Sequence, residues 1–333
     1  MRRILLALFL LSIALPITAY PAATDSPETP VVELERIVVS GTLPGPGMWK
    51  VSKGDHVLWI LGTVSPLPRK MEWISRDVEA VIAQAQEAIA SPTLMINAKV
   101  GFFQWLVLAP KLLGIRRNPD GALLQQVVPA GMYARWLPLK RKYVGNDRGI
   151  EKWRPMFAAI ELYDDAIRKS GLTQGGVVSS VVSAAIKRNK VKLTSPTVKL
   201  TIDDPKAALS DFRSTPLADI DCFGKTLQRL ETDLGTMVAR ANAWAEGDVE
   251  TLRRLPYGDQ NAACIKAATH ASFAVKRGLG DADARMEQAW LDAVDKALAN
   301  NRVTFASLDM PQLLAVDGYL GKLRAKGYTI EAP

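Results

Sequence analysis

The sequence predicts an α/β fold, a central mixed sheet flanked by helices with a large helical middle section. Three observations predict it. Apolar, β-prone runs stand near both ends of the chain, at His56–Leu61 and Val303–Leu308. Between them, apolar residues recur mostly at helical spacing. Of the 333 residues, 48% are hydrophobic and 23% charged, a mix that supports a packed core and excludes whole-chain disorder.

At the amino terminus, Arg2 and Arg3 precede the apolar run Ile4–Ile17, then Thr18 and Ala19. This is the layout of a secretory signal. Pro16 interrupts the run, which at about 14 residues is shorter than the roughly 20 that span a bilayer. Cleavage is expected after Ala19 or near Ala22 or Ala23, so residues 1–22 are assigned to the signal and the mature chain to the periplasm or the secreted fraction. Residues 23–47 read as a flexible lead-in. It holds a short strand over Glu33–Ser40 and a turn-rich connector over Gly41–Gly47. One domain is expected over residues 48–333.

Within that domain, His56–Leu61 reads as a buried strand emptying into a loop at Gly62. Glu72–Ala90 carries Ile74, Val78, Val81, Ile82, Ala85 and Ile89 at helical spacing, and Gln86–Ile96 returns as a strand. Phe102–Ile115 is the most apolar internal run. It reads as a core helix, with an interfacial helix touching lipid or a partner as the alternative. Pro129–Arg188 is mostly helical, with breaks at Pro138, Pro155 and Gly175-Gly176. Lys192–Ile202 is β-prone. Helices follow at Pro205–Phe212 and at Phe223–Trp244, the latter with Leu227, Leu230, Leu234 and Val238 in a stripe. Asp281–Ala299 places Met286, Trp290, Val294 and Leu298 in register. Val303–Leu308, Asp317–Lys326 and Tyr328–Ile330 close the chain as strand, helix and strand. The sheet is expected to unite the Val57, Leu193 and Val303 regions.

Composition narrows the chemistry. Two His and two Cys make a His-rich metal centre, a Ser-His-Asp enzyme or a zinc ribbon hard to build. In an oxidising compartment Cys222 and Cys264 would pair, closing a loop of roughly 40 residues worth about 4 kcal/mol in the chain-entropy model. A metal reading would add His270 and His56, without the close ligand pairs of structural zinc sites. The net charge of +8 is spread along the chain. Its densest stretch, Lys140–Lys142 with Arg135 and Arg148 nearby, reads as a solvated helix face, with an anionic lipid or polysaccharide surface as the alternative. No nucleic-acid partner is expected, and no phosphate loop is present.

Several blocks together resemble a known family. They are Met48-Trp49-Lys50-Val51 with Leu58–Val64, then Glu151–Pro155, Trp244–Asp248, and Asp317–Tyr328. In order and spacing they resemble the TraB/GumN proteins, a family that also includes the Tiki-type metal-dependent proteases. The similarity covers about Met48 to Ile330. It implies an α/β domain holding a divalent metal such as Mn or Co through two His, one near each end, aided by Glu. Such ligands fix the ion and leave a water position open.

This chain departs at those positions. Ser65 follows Gly62-Thr63-Val64, where the family has His. Ser91 stands where a Glu is expected, and Ser195 stands at a further Glu position. Counting back from Gly318, Gln312 falls on the second His position. Neutral hydroxyl and amide groups bind a divalent cation far more weakly than His and Glu. The resemblance therefore implies a catalytically degenerate envelope protein with no metal and no cofactor, acting through an unknown envelope protein or polysaccharide. Membrane-surface contact would run through Phe102–Ile115. The alternative is a hydrolase of peptide or envelope polymer, metal-dependent or using Ser65 with Lys70 as base. A carboxylate relocated to Asp309, paired with Asp55 or Glu72, is a further variant.

Overall fold

The computed structural model describes residues 43–98, 114–215, 217–255 and 260–333. The segment expected to be a signal, the strand expected over Glu33–Ser40 and the apolar run up to residue 113 lie outside these residues.

The sheet begins as a hairpin. Strand β1 (Met48–Lys53) alternates, burying Trp49 and Val51 on one face, as a half-buried strand should. A two-residue turn at Gly54 and Asp55 leads into β2 (His56–Thr63). Gly54 takes φ of 61°, a conformation glycine adopts without steric cost. Strands β3 (Glu87–Ile89), β4 (Thr93–Ala98), β5 (Lys192–Thr194), β6 (Thr197–Ile202), β7 (Val303–Asp309) and β8 (Thr329–Glu331) follow along the chain. Six of them form one mixed sheet in the order β8-β1-β2-β7-β3-β5. The pairs β8–β1 and β1–β2 are antiparallel; β2–β7, β7–β3 and β3–β5 are parallel. The Val57, Leu193 and Val303 regions thus share one sheet. Strands β4 and β6 pair separately, in parallel.

Prolines explain why the sheet divides. Ser91-Pro92 separates β3 from β4, and Ser195-Pro196 separates β5 from β6. Proline has no N–H to give the ladder, so both strands bend there together. The bend is stitched by Ala90 N donating to Thr194 O at 2.9 Å and Thr93 N donating to Pro196 O at 2.9 Å. Each β-prone segment expected as one strand is therefore two, and the two halves sit in different sheets.

Other boundaries also moved. Helix α1 (Arg76–Gln84) is shorter than the Glu72–Ala90 pattern. Gln86 is drawn to β7: its N–H reaches Val303 O at 3.0 Å, and its side-chain carbonyl accepts from Val303 N at 2.8 Å. Ile89 consequently packs as a strand residue. Pro138 lies inside helix α2 (Ala130–Tyr143) and does not end it, because buried Trp136 and Tyr143 on either side hold the helix to its neighbours. Helix α3 (Pro155–Lys169) starts at Pro155, and α4 (Val177–Arg188) follows Gly176, whose φ is 92°. After α5 (Pro205–Ser214), the helix expected over Phe223–Trp244 is two, α6 (Ile220–Thr232) and α7 (Leu234–Ala245). They meet at Asp233, which lies 3.6 Å from Arg229 and 3.9 Å from Arg240. Because the chain turns there, Met237 is buried where the continuous stripe placed Val238.

The later helices are α8 (Val249–Arg254), α9 (Gln260–Thr269), α10 (Ala282–Asn300), α11 (Met310–Leu314) and α12 (Tyr319–Ala325). Two apolar clusters result. One joins the sheet to α1, α4, α7 and α10 through Trp49, Ile60, Ile82, Trp244, Trp290 and Phe305. The other lies among α2, α3, α6 and α9, around Trp136, Leu162, Phe223 and Leu227. A buried Trp contributes about 4–6 kcal/mol at ~25 cal/mol per Å² over 150–250 Å². Cys222 and Cys264 stand at disulfide distance, Sγ–Sγ 1.98 Å and Cα–Cα 4.6 Å, tying α6 to α9 in the second cluster. No helix among the described residues is long and apolar enough to cross a membrane.

Candidate functional site

The parallel strands all empty at one edge, the place where open α/β sheets put their sites. Each ends in a residue followed by proline: Ser65 before Pro66 after β2, Ser91 before Pro92 after β3, Ser195 before Pro196 after β5, Met310 before Pro311 after β7. The ladder cannot continue through proline, so the chain peels away and opens space.

A cavity of about 630 Å³ occupies that space and continues beneath α4. Thr63, Ser65, Ser91, Ser307 and Asp309 line its end at the strand termini. Its walls are apolar, with Ile89, Val178, Val182, Ile186 and Phe305 among them. Helix α4 starts beside the end of β2, where Leu67-Pro68 pairs with Leu172-Thr173, and its last turn leads through Val191 into the start of β5. It therefore runs antiparallel to the parallel strands. Lys187 and Lys190 line the cavity at the far end of this helix.

Three of the hydroxyls at the near end are already engaged. Thr63 Oγ1 donates to Asp309 Oδ1 at 3.1 Å and faces it in register across β2 and β7. Ser65 Oγ donates to the Gln174 carbonyl at 3.0 Å, and Ser91 Oγ to the Ser307 carbonyl at 3.0 Å. Asp309 is the one carboxylate among the described lining residues, and none of them is His. No three of His, Cys, Asp and Glu stand together as metal ligands among the described residues.

The structure thus brings Ser65, Ser91 and the candidate carboxylate Asp309 into one cavity and leaves Ser195, Gln312, Gly62 and Gly318 outside its lining. Ser195 is exposed at the second bend, and Gln312 is exposed on α11. Gly62 and Gly318 are buried and have steric duties. A Cβ on Gly62 would lie 2.6 Å from the Met310 methyl and 3.0 Å from the Trp49 ring, and the Gly62 carbonyl accepts from Trp244 Nε1 at 2.8 Å. A Cβ on Gly318 would lie 2.2 Å from the Gln312 carbonyl oxygen. The two histidines are elsewhere: His56 Nδ1 bonds the Asn301 carbonyl at 2.8 Å, and His270 is exposed beside Thr269. Lys70, Asp55 and Glu72 also stand outside the lining. The basic stretch on α2 is partly neutralised, Lys140 by Glu151 at 3.1 Å and Arg135 by Glu231 at 2.7 Å.

Ser307 and the two cavity lysines were not singled out in the sequence. A period-two reading of β7 carries a usable signal, since Phe305, Ser307 and Asp309 share one strand face. At the opposite end of the strands, Glu87 is buried. Burial works to raise its carboxyl, but hydrogen bonds from Thr194, Lys192 and Asn301 outweigh that and hold it below the usual carboxylate range.

Comparison with curated proteins and with solved structures finds no match. The model of one family does match, over residues 47–332, nearly the whole of the chain that carries the sheet and the cavity, and on that ground the protein belongs to the TraB/PrgY/gumN family.

Proposed function

We propose that this protein is an exported envelope protein that binds through its cavity and has lost the metal chemistry which its family's resemblance to metal-dependent proteases implies. Its role is binding or accessory, toward an envelope protein or polysaccharide. One observation carries the reading. Ser65 and Ser91, at positions where a His and a Glu are expected, both line the cavity and both spend their hydroxyl hydrogens on main-chain carbonyls. Together with Asp309 they offer one carboxylate and neutral oxygens, a donor set that does not fit a resident divalent ion. The cysteine pair agrees with an oxidising compartment. A hydrolase working through Ser65 lacks support, because that hydroxyl faces a carbonyl and Lys70 lies outside the lining.

The test is metal content by mass spectrometry, on chelator-free protein purified from the periplasm and incubated with Mn, Co and Zn. After washing, the protein is expected to retain none of them. Stoichiometric retention overturns the reading, as does peptidase activity that disappears in Ser65→Ala.

A further inference from the structure

The stretch that closes α4 and enters β5 carries four cations: Lys187, Arg188, Lys190 and Lys192. Two of them have acidic partners. Arg188 pairs with Glu79, and Lys192 with Glu87 at 3.0 Å. Neither of these lines the cavity. The two that do line it, Lys187 and Lys190, make no ion pair among the described residues.

Lys190 is also in an unusual conformation. It follows the C-cap Asn189 with φ of 53°, in the left-handed region. The N–H of Val191 reaches the Ile186 carbonyl at 3.1 Å and that of Lys190 the Lys187 carbonyl at 3.2 Å, the paired bonds of a Schellman ending. Glycine is the usual residue at this position, since a Cβ is strained there. Lys190 is an exposed lysine at a position glycine usually takes; it lines the cavity and makes no ion pair among the described residues.

The two ends of the cavity differ in charge. The near end has Asp309 and three engaged hydroxyls; the far end has two exposed lysines that make no ion pair among the described residues. Helix α4, whose 12 residues span about 18 Å, separates them, and the wall between is mainly apolar, with Ser179 and Ser183 among Val178, Val182 and Ile186. An elongated apolar chain with a negative group at one end matches this pattern, and Asp309 decides its direction by repelling the anion from the near end.

We propose that the cavity binds a single-chain anionic amphiphile, a long-chain carboxylate, with its chain beneath α4 and its carboxylate between Lys187 and Lys190. The proposal rests on the binding reading given above and names the ligand class of the same cavity. Its cavity volume lies within the ordinary range for small-molecule sites, about 300–1,000 Å³.

The experiment is calorimetric titration of the purified, metal-analysed full chain with decanoate, dodecanoate and tetradecanoate, and with dodecanol as the uncharged probe. One-to-one saturable binding is expected, tightening about fourfold per added methylene. Dodecanoate should bind about 2- to 30-fold more tightly than dodecanol, the range two exposed lysines can supply. The Lys187→Ala/Lys190→Ala variant should lose that advantage and keep its dodecanol affinity. Lys190→Gly should weaken dodecanoate binding without lowering the melting temperature, because glycine relieves the left-handed strain. That result separates a ligand-binding lysine from a structural one. Absence of saturable binding, equal affinity for dodecanol and dodecanoate, or lysine variants that bind dodecanoate like the parent would each overturn the proposal. The metal measurement is independent of these titrations, so a chain that keeps no metal and binds no amphiphile refutes this inference alone.

Discussion

Replacing Gly318 by Ala tests whether the closing segment is built around a missing side chain. Gly318 is buried and precedes α12, with its N–H donating to the Ala315 carbonyl at 2.9 Å. Its φ of −80° and ψ of −172° suit any residue, so the backbone gives no reason for glycine. The reason is space. An added Cβ would lie 2.2 Å from the Gln312 carbonyl oxygen, 2.9 Å from that of Ala315 and 3.1 Å from the Ala315 methyl. Two of these three neighbours are main-chain atoms, which cannot swing aside as a side-chain tip can. Relief requires α11 and α12 to separate. Overpacking costs about 1–3 kcal/mol, and rigid walls put this case near the top, about 3 kcal/mol. At about 2 °C per kcal/mol for a chain of this length, the melting point falls by about 6 °C. Gly131→Ala is the control. That glycine lies in helix α2 with nothing within 4 Å of where an added Cβ would stand, so alanine should stabilise by about 0.5–1 kcal/mol. Urea and thermal midpoints of both variants check the pair. A Gly318→Ala protein melting with the parent would refute the argument that main-chain walls demand glycine there.

Three further outcomes are expected. Removing the Cys222–Cys264 link, with both replaced by Ala, should cost about 4 kcal/mol for a loop of 42 residues, measured by urea midpoint in non-reducing buffer. Trp244→Phe removes the donor to the buried Gly62 carbonyl and leaves a void where the indole packs against Trp73, so it should cost about 2–5 kcal/mol, read by the same midpoints. Glu87 supplies a pH dependence. Its folded-state carboxyl sits below the usual range, so its stabilisation is present above the unfolded carboxylate value and is lost as pH falls through the folded one. Stability measured from neutral toward acid should therefore fall less steeply in Glu87→Gln than in the parent; parallel curves would show that Glu87 contributes nothing to the acid limb.

The elements that were legible are those whose cause is local. Helix α10 holds Trp290, Val294 and Leu298 at helical spacing and runs where the spacing puts it. Strand β2 was readable as an apolar run closed by Gly62, and β7 as the apolar, β-prone run Val303–Leu308. The breaks at Pro92 and Pro196 were missed, because β-propensity on either side was weighed above proline's missing N–H. Helix α1 misled because its end is set from a distance. Gln86 bonds Val303, 217 positions away, and no local pattern contains that partner.

The site divides along the same line. Proline after Ser65, Ser91, Ser195 and Met310 marks four strand exits, and the chain itself displays them. Which exits open onto the cavity is decided by contacts that span the chain: Ser65 with Gln174, Ser91 with Ser307, Thr63 with Asp309. Ser195 has no such contact into the cavity lining, because β5 is the outermost strand and its bend faces solvent. The far end was hidden for another reason. Lys187 fits the ordinary preference for a cation in the last turn of a helix, and Lys190 looks like one more exposed lysine. Only the left-handed backbone at Lys190, together with the acids that take Arg188 and Lys192, separates the two unpaired lysines from the paired ones. Charge placement of that kind is a property of the folded surface, and it is where the chemistry of this cavity departs furthest from what its motifs imply.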